Sequence, residues 1–247
     1  MLIPAVQGGH QLLVTKITIS SNTTNYSLAA DLQNNYGWDG SSPIEVELTI
    51  NSGVYVYDTS ASGVGLLASL VSGSILTINN SGNIHGKGGA GGAGGSASTI
   101  QRNGSAGTAG TDAIKLENVT ATINNLSGGV IAGGGGGGGG QGNARGSPTN
   151  DPENGCTGDK QNGGSSGGSG APNNSPSVPT NSPSGNGGSW GQVGGGGSSG
   201  SLSGINGSCI NFRGGGGAGG AAGKAINVGS GASRTYNDSG TTYGATS

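Results

Sequence analysis

The sequence predicts a mainly β protein: a small N-terminal β-module, then β-hairpin repeats and a bundle of polyglycine-II helices with projecting loops. Three observations predict it. Segments before residue 86 alternate apolar and polar residues. One short motif recurs three times, each time beside glycine. Glycine supplies 60 of the 247 residues and falls into tracts of similar length.

Composition excludes an ordinary interior for the whole chain. Hydrophobic residues make up 30% and charged residues 8%, against about half and about a quarter in typical globular chains. The net charge of −2 is too small for charge-driven disorder. It also gives no basic footprint for nucleic acid or anionic lipid. No apolar run approaches the ~18 residues of a membrane span, so no membrane insertion is expected. The opening MLIPAVQGGHQLL lacks the basic and apolar regions of a secretory signal; retention in the cytoplasm, or release without secretion, is expected. Cohesion has to come from backbone hydrogen bonds.

The first module is assigned to residues 1–85. KITIS at 16–20, IEVELTI at 44–50 and VYVY at 54–57 alternate with period two, the mark of strands with one buried face. YSLAADLQ at 26–33 suits two helical turns with Asn25 as N-cap. Asn51-Ser52-Gly53 between two strand patterns signals a turn.

From residue 86 to 247 the predicted second domain alternates glycine tracts with short punctuating segments. LTINNSGNIHG at 76–86 matches ATINNLSGGVIAG at 121–133 and, more loosely, RTYNDSGTTYG at 234–244. The latter two follow GTDAIKL at 110–116 and GKAINV at 223–228. Self-similarity of this kind signals stacked units, and the reading is three β-hairpin rungs at one end of the molecule.

Residues 88–96 divide as GGA, GGA, GGS, and 216–221 as GGA, GGA. A polyproline-II backbone turns once per three residues and makes no internal hydrogen bonds. Glycine reaches that conformation without proline. Ala90, Ala93 and Ser96 then line one edge, and two bare edges let neighbouring coils pair their N–H and C=O groups, as buried backbone requires. Collagen is excluded, since it needs glycine at every third position and abundant proline.

Eight tracts are assigned: 86–98, 104–110, 133–142, 163–170, 185–188, 194–200, 204–207 and 214–223. Strict up-and-down alternation puts the motif copies at a near end, with 171–184 and 201–203. The segments 99–103, 143–162, 189–193 and 208–213 go to the far end. That end thereby collects Arg102, Arg145, Lys160, Trp190, Phe212 and Arg213, with Cys156 and Cys209. The two cysteines fit no zinc spacing; one bond between them and two free thiols both suit the sequence.

The stretch ITISSNTTNYSLAADLQNNYGWDGSSPIEVELTINSGVYVYDTS at 17–60, continued by LTINNSGNIHGKGGAGGAGG at 76–95, resembles the strand-rich module that precedes glycine-rich tips in bacteriophage tail-fibre and receptor-binding proteins. The tract layout is similar to the separate adhesins that cap T-even-type long tail fibres. That resemblance implies a virion protein, assembled in the host cytoplasm and carried at the fibre tip. It implies binding to a host outer-surface receptor, protein or lipopolysaccharide, through loops between glycine helices. Other tail-fibre or tail proteins become partners, with a homotrimer and a single-chain cap both compatible. The first module would then serve virion attachment. No individual contact residue carries over, because such loops vary freely. The six far-end residues enter as receptor-binding candidates because aromatic and Arg anchors dominate contact energy.

A structural or ice-binding glycine-rich protein is the alternative, countered by long loops bearing proline and charge. Catalysis is not expected. His10 and His85 are the two histidines, no paired carboxylates stand out, and GxGxxG matches in glycine runs carry no strand–helix context. Asp151, Glu153 and Asp159 could hold calcium but read as a polar loop. No cofactor or metal is expected.

Overall fold

The computed structural model describes residues 14–60, 63–96, 101–146, 161–162, 186–199 and 210–247. Successive strands alternate between two sheets. The first rung is β1 (Val14–Ile19) and β2 (Thr23–Thr24). A short β3 (Tyr26–Ser27) and helix α1 (Leu28–Asn35) follow. The next rungs are β4 (Glu45–Ile50) with β5 (Tyr55–Tyr57), β6 (Val64–Asn80) with β7 (Asn83–His85), and β8 (Asp112–Asn125) with β9 (Val130–Ala132). Three strands lie apart: β10 (Ala144–Gly146), β11 (Gln161–Asn162) and β12 (Ile210–Arg213). The last rung comprises β13 (Ile226–Val228), β14 (Ser233–Asp238) and β15 (Thr241–Tyr243).

One sheet runs β1-β4-β6-β8-β13, with β14 also on β8 and β3 on β6; the other runs β15-β9-β7-β5-β2. All these pairings are parallel. Both sheets cross residues 85–86, and their inner faces share one apolar core. Leu48, Ile78 and Ile123 occupy one register and are fully buried, each such side chain contributing about 1.5–3 kcal/mol. Helix α1 buries Leu28 and Leu32 into the same core.

The motif copies are stacked corners, which corrects the hairpin expectation. Within each copy the two strands lie in different sheets and pair with the neighbouring copies. The corner N–H groups follow the same rule: Leu126 and Ser239 donate to the carbonyls of Asn80 and Asn125, Val130 and Thr241 to those of Gly82 and Gly129. A hairpin would direct these bonds back across itself. At the corners a Cβ on Gly82 would stand 2.5 Å from the Asn51 carbonyl oxygen; only glycine lets the rungs close up.

Two further expectations change. The cap of α1 is Ser27, whose Oγ accepts from the Ala30 N–H at 3.4 Å. Asn25 sits at φ 50° and ties the first rung to the second, accepting from the Thr59 N–H and donating to its Oγ. Strand β6 begins twelve residues before the recognised motif. In its first half, GLLASLV, Leu66, Ala68 and Leu70 are buried while the opposite face carries half-buried Leu67 and Val71, so the sequence shows no polar–apolar alternation there.

The glycine tracts leave the stack together. Segment 133–143 runs parallel to 86–96: the N–H groups of Gly86, Gly89, Gly92 and Gly95 donate to the carbonyls of Ala132, Gly135, Gly138 and Gln141 at 2.7–2.9 Å. It runs antiparallel to 101–111, with Gly134, Gly137 and Gly140 donating to Thr111, Thr108 and Ser105. It is likewise antiparallel to 214–223, from which Gly217, Gly220 and Gly223 donate to Gly140, Gly137 and Gly134. The hydrogen bonds recur every third residue throughout.

Segment 133–143 is buried along its whole length. A Cβ on Gly133, Gly134, Gly136, Gly137, Gly139 or Gly140 would collide with a neighbouring carbonyl oxygen, well inside 3.0 Å. That is the physical reason for eight glycines in a row. Where a tract carries hydroxyls, they join the lattice. Thr111, Thr108 and Ser105 each accept, through Oγ, the N–H of Lys87, Ala90 and Ala93 at 2.7 Å.

Candidate functional site

The bundle has two unlike ends. At the near end 86–96, 101–111, 133–143 and 214–223 enter or leave rungs of the β stack, while 186–188 and 192–199 are joined there by a turn. At the far end the tracts finish around Asn143, which is fully buried. Its Oδ1 accepts the Arg102 N–H at 2.8 Å, and its Nδ2 donates to the Ser96 carbonyl at 3.1 Å. Its backbone N–H donates to the Arg102 carbonyl at 3.0 Å, and its carbonyl accepts the Gly214 N–H at 2.7 Å. One asparagine therefore ties off the ends of 86–96, 101–111 and 214–223. Asn103 adds a further tie, accepting the Gly215 N–H at 2.8 Å.

Beyond Asn143 lies an antiparallel sheet ordered β11-β10-β12, with Arg145 opposite Gln161 and Phe212. The far end thus carries Arg102, Arg145, Phe212 and Arg213 on neighbouring backbone. Arg102 and Arg213 are exposed. Lys160, Cys156 and Cys209 lie outside the described residues, as do the assigned tracts 163–170 and 204–207 and the acidic residues 151, 153 and 159.

Trp190 is elsewhere, and its far-end placement is corrected. Segment 186–188 runs toward the stack and 192–199 away from it. Gly188 donates to Gly136, Gly136 to Gln192, Gly139 to Gly195 and Gly142 to Ser198. The turn between them, with Gly191 at φ 64°, meets the near end, where the Gly191 N–H donates to the Gly133 carbonyl. Trp190 is 8% exposed, its ring 4.5 Å from that of His85 and 5.5 Å from that of Tyr243. The cause is burial: an aromatic ring withdraws about 150–250 Å² from water, and the flat junction between bundle and stack accepts it. A ring buried there cannot anchor a receptor. Strict alternation missed this because it gave 185–188 and 194–200 the opposite directions to those they take.

Among the described residues no cluster of His, Cys, Asp and Glu could hold a metal ion. The carboxyl of Asp58 is buried and accepts from Thr111 Oγ at 2.6 Å and Ser60 Oγ at 2.9 Å, joining rung to tract. Glu117 is held below its ordinary value by hydrogen bonds from Lys115 and Ser69 against a small desolvation cost, an exposed surface pair.

The family described as phage tail fibre adhesin Gp38 matches residues 14–247. The chain belongs to that family. No curated protein and no solved structure matches it. Membership makes this adhesin a bacteriophage tail-fibre component of the virion, whose partners are a host receptor and phage tail components, and points to binding rather than catalysis. Among the described residues no helix is long and apolar enough to cross a membrane. The match spans the rungs and the tracts alike, so the β stack and the glycine bundle belong to one adhesin architecture.

Proposed function

We propose that this adhesin grips its host receptor with the loops at the far end of a polyglycine-II bundle, the β stack serving as the base that joins the rest of the fibre. The coil assignment is supported by hydrogen bonds that recur every third residue between neighbouring tracts, the repeat of a threefold coil. It is also supported by the absence of a positive φ at every described glycine of 86–142 other than Gly128 in the β8–β9 corner. The single observation that carries the receptor reading is the convergence on Asn143. It ties Ser96 and Arg102, which flank segment 97–100, to Gly214 and to the chain that enters β10, and binding concentrates on loops held by a rigid scaffold. One chain supplies both sheets and their core, so this reading does not call for a homotrimer.

An epitope inserted between Thr149 and Asn150, in the segment joining β10 to β11, tests it. A bound antibody fragment is expected to abolish phage adsorption there and to leave it intact when the epitope is inserted at Ser127–Gly128 in the β8–β9 corner. Adsorption blocked from the corner and not from the far segment overturns the assignment.

A further inference from the structure

We infer that Arg102 and Arg213 form a paired anion subsite, which takes a phosphate group of a host surface glycan. This rests on the reading that the far end meets the receptor, and goes further by naming the chemistry held there.

Three observations place the pair. Asn143 donates to the Arg102 carbonyl and accepts from the Gly214 N–H, and a Cβ on Gly214 would collide with the same Arg102 carbonyl. Arg213, the residue before Gly214, therefore lies beside Arg102 although 111 residues separate them in sequence. Both side chains are exposed, and neither forms an ion pair or a side-chain hydrogen bond with a described residue. The described far-end segments, 93–96, 101–105, 140–146, 161–162, 196–199 and 210–216, contain no Asp or Glu. Two arginines are thus carried on neighbouring backbone, close enough for side chains of their length to reach one anion, and the described segments around them supply no carboxylate.

Holding two like charges together costs energy in the free protein, and an arriving anion repays that cost. Guanidinium forks match phosphate oxygens two at a time. The surrounding chemistry favours a glycan over a protein loop. The exposed described side chains at this end are mostly polar, among them Ser96, Gln101, Asn103, Ser198 and Ser199, and among the described side chains the large exposed apolar ones lie elsewhere. Protein interfaces instead centre on buried aromatic and aliphatic anchors.

The test is a double-mutant cycle on the full chain. Arg102→Ala, Arg213→Ala and the double variant are titrated against purified host lipopolysaccharide, intact and chemically dephosphorylated, and against proteinase-treated cells. Arg234→Ala, in β14, is the control. Each single variant is expected to bind intact lipopolysaccharide about ten- to a hundredfold more weakly, the range of a charge-assisted hydrogen bond. The double variant is expected to lose less than the product, because one anion serves both residues. Wild-type affinity for the dephosphorylated glycan is expected to fall to the double variant's level, and proteinase treatment to change nothing. Unchanged binding by the double variant overturns the subsite, as do strictly multiplicative losses. So does binding that survives dephosphorylation and is lost with proteinase. If the antibody block at 149–150 still stops adsorption, the far-end reading stands while the subsite falls.

Discussion

At the scale of single residues, the adhesin turns the usual meaning of glycine around. In a flexible segment glycine contributes freedom; in 133–143 it contributes the absence of a side chain. Gly137 and Gly196 separate the two roles. A Cβ on Gly137 collides with the Ala90 carbonyl, backbone that cannot swing aside. At Gly196 the nearest atom, the Gly217 carbonyl oxygen, is 3.7 Å away, an ordinary contact. Gly137→Ala is therefore expected to destabilise by about 3 kcal/mol or more, as overpacking does. Gly196→Ala should be neutral or stabilise by up to about 1 kcal/mol, by restricting the unfolded chain. Thermal melts of the two variants check this; equal losses would mean that the tracts do not touch as described. Asn143 offers a polar counterpart. Asn143→Ala leaves the Arg102 N–H and the Ser96 carbonyl without their side-chain partner, and a cost of about 1–3 kcal/mol follows, read by denaturant titration.

At the scale of elements, the rungs are held in register by ladders of polar side chains as well as by apolar stacking. On the inner side of the corner Asn80 Nδ2 donates to Asn125 Oδ1 at 2.8 Å, and Asn125 Nδ2 to Asp238 Oδ1 at 2.9 Å. Outside it Asn124 donates to Asn79 and Asn237 to Asn124. Where two rungs carry Asn, the last carries Asp238. Burial pushes that carboxyl up, but hydrogen bonds from Thr242, Asn125, Tyr236 and the Gly240 N–H outweigh it and leave it below its ordinary 3.8. A depressed folded value means stability that is complete above pH ~4 and lost as pH falls through the folded value. Asp238→Asn is expected to remove this part of the acid sensitivity while keeping the acceptor for Asn125. Melting temperatures of wild type and variant from pH 6 to 2.5 check it, and parallel curves would exclude Asp238 as the source. The repeated Asn pairs were visible in the sequence as a turn signal. Their service as inter-rung ladders was not, because a hairpin and a corner use the same residue types, and only the pairing partner tells them apart. Strands β1, β4 and β5 were legible through alternation. The first half of β6 was not, since its half-buried face also carries apolar Leu67 and Val71, so the alternation of its burial leaves no period in the sequence.

At the scale of the whole molecule, tracts and rungs are interleaved along the chain. The tracts 86–96, 101–111, 133–143 and 214–223 each begin or end at a rung, and Trp190, in the turn between 186–188 and 192–199, closes the junction against His85 and Tyr243. The end that carries Arg102 and Arg145 follows from the direction of the first three tracts, which connectivity sets, whereas the directions assigned to 185–188 and 194–200 are reversed. The position of Trp190 could not be read from the sequence, because a tract pair that turns back beneath the stack has the same composition as one that turns at the tip. Interleaving has a thermodynamic consequence. Melting the bundle alone would leave its tracts as long loops closed between rungs and would uncover the Trp190 junction, and the stack cannot lose β8 without releasing 101–111 and 133–143. The adhesin is expected to unfold in one cooperative transition, with calorimetric and van't Hoff enthalpies equal, and indole fluorescence changing together with far-ultraviolet dichroism. Trp190→Ala is expected to lower that single transition by about 3–5 kcal/mol, the usual cost of removing a buried Trp, without splitting it. Two separated transitions, one moved by the variant and one not, would mean that the junction is a hinge between independent parts. The far-end loops would then be carried on a swinging arm instead of a rigid mast, and the pairing of Arg102 with Arg213 would have to survive without support from the stack.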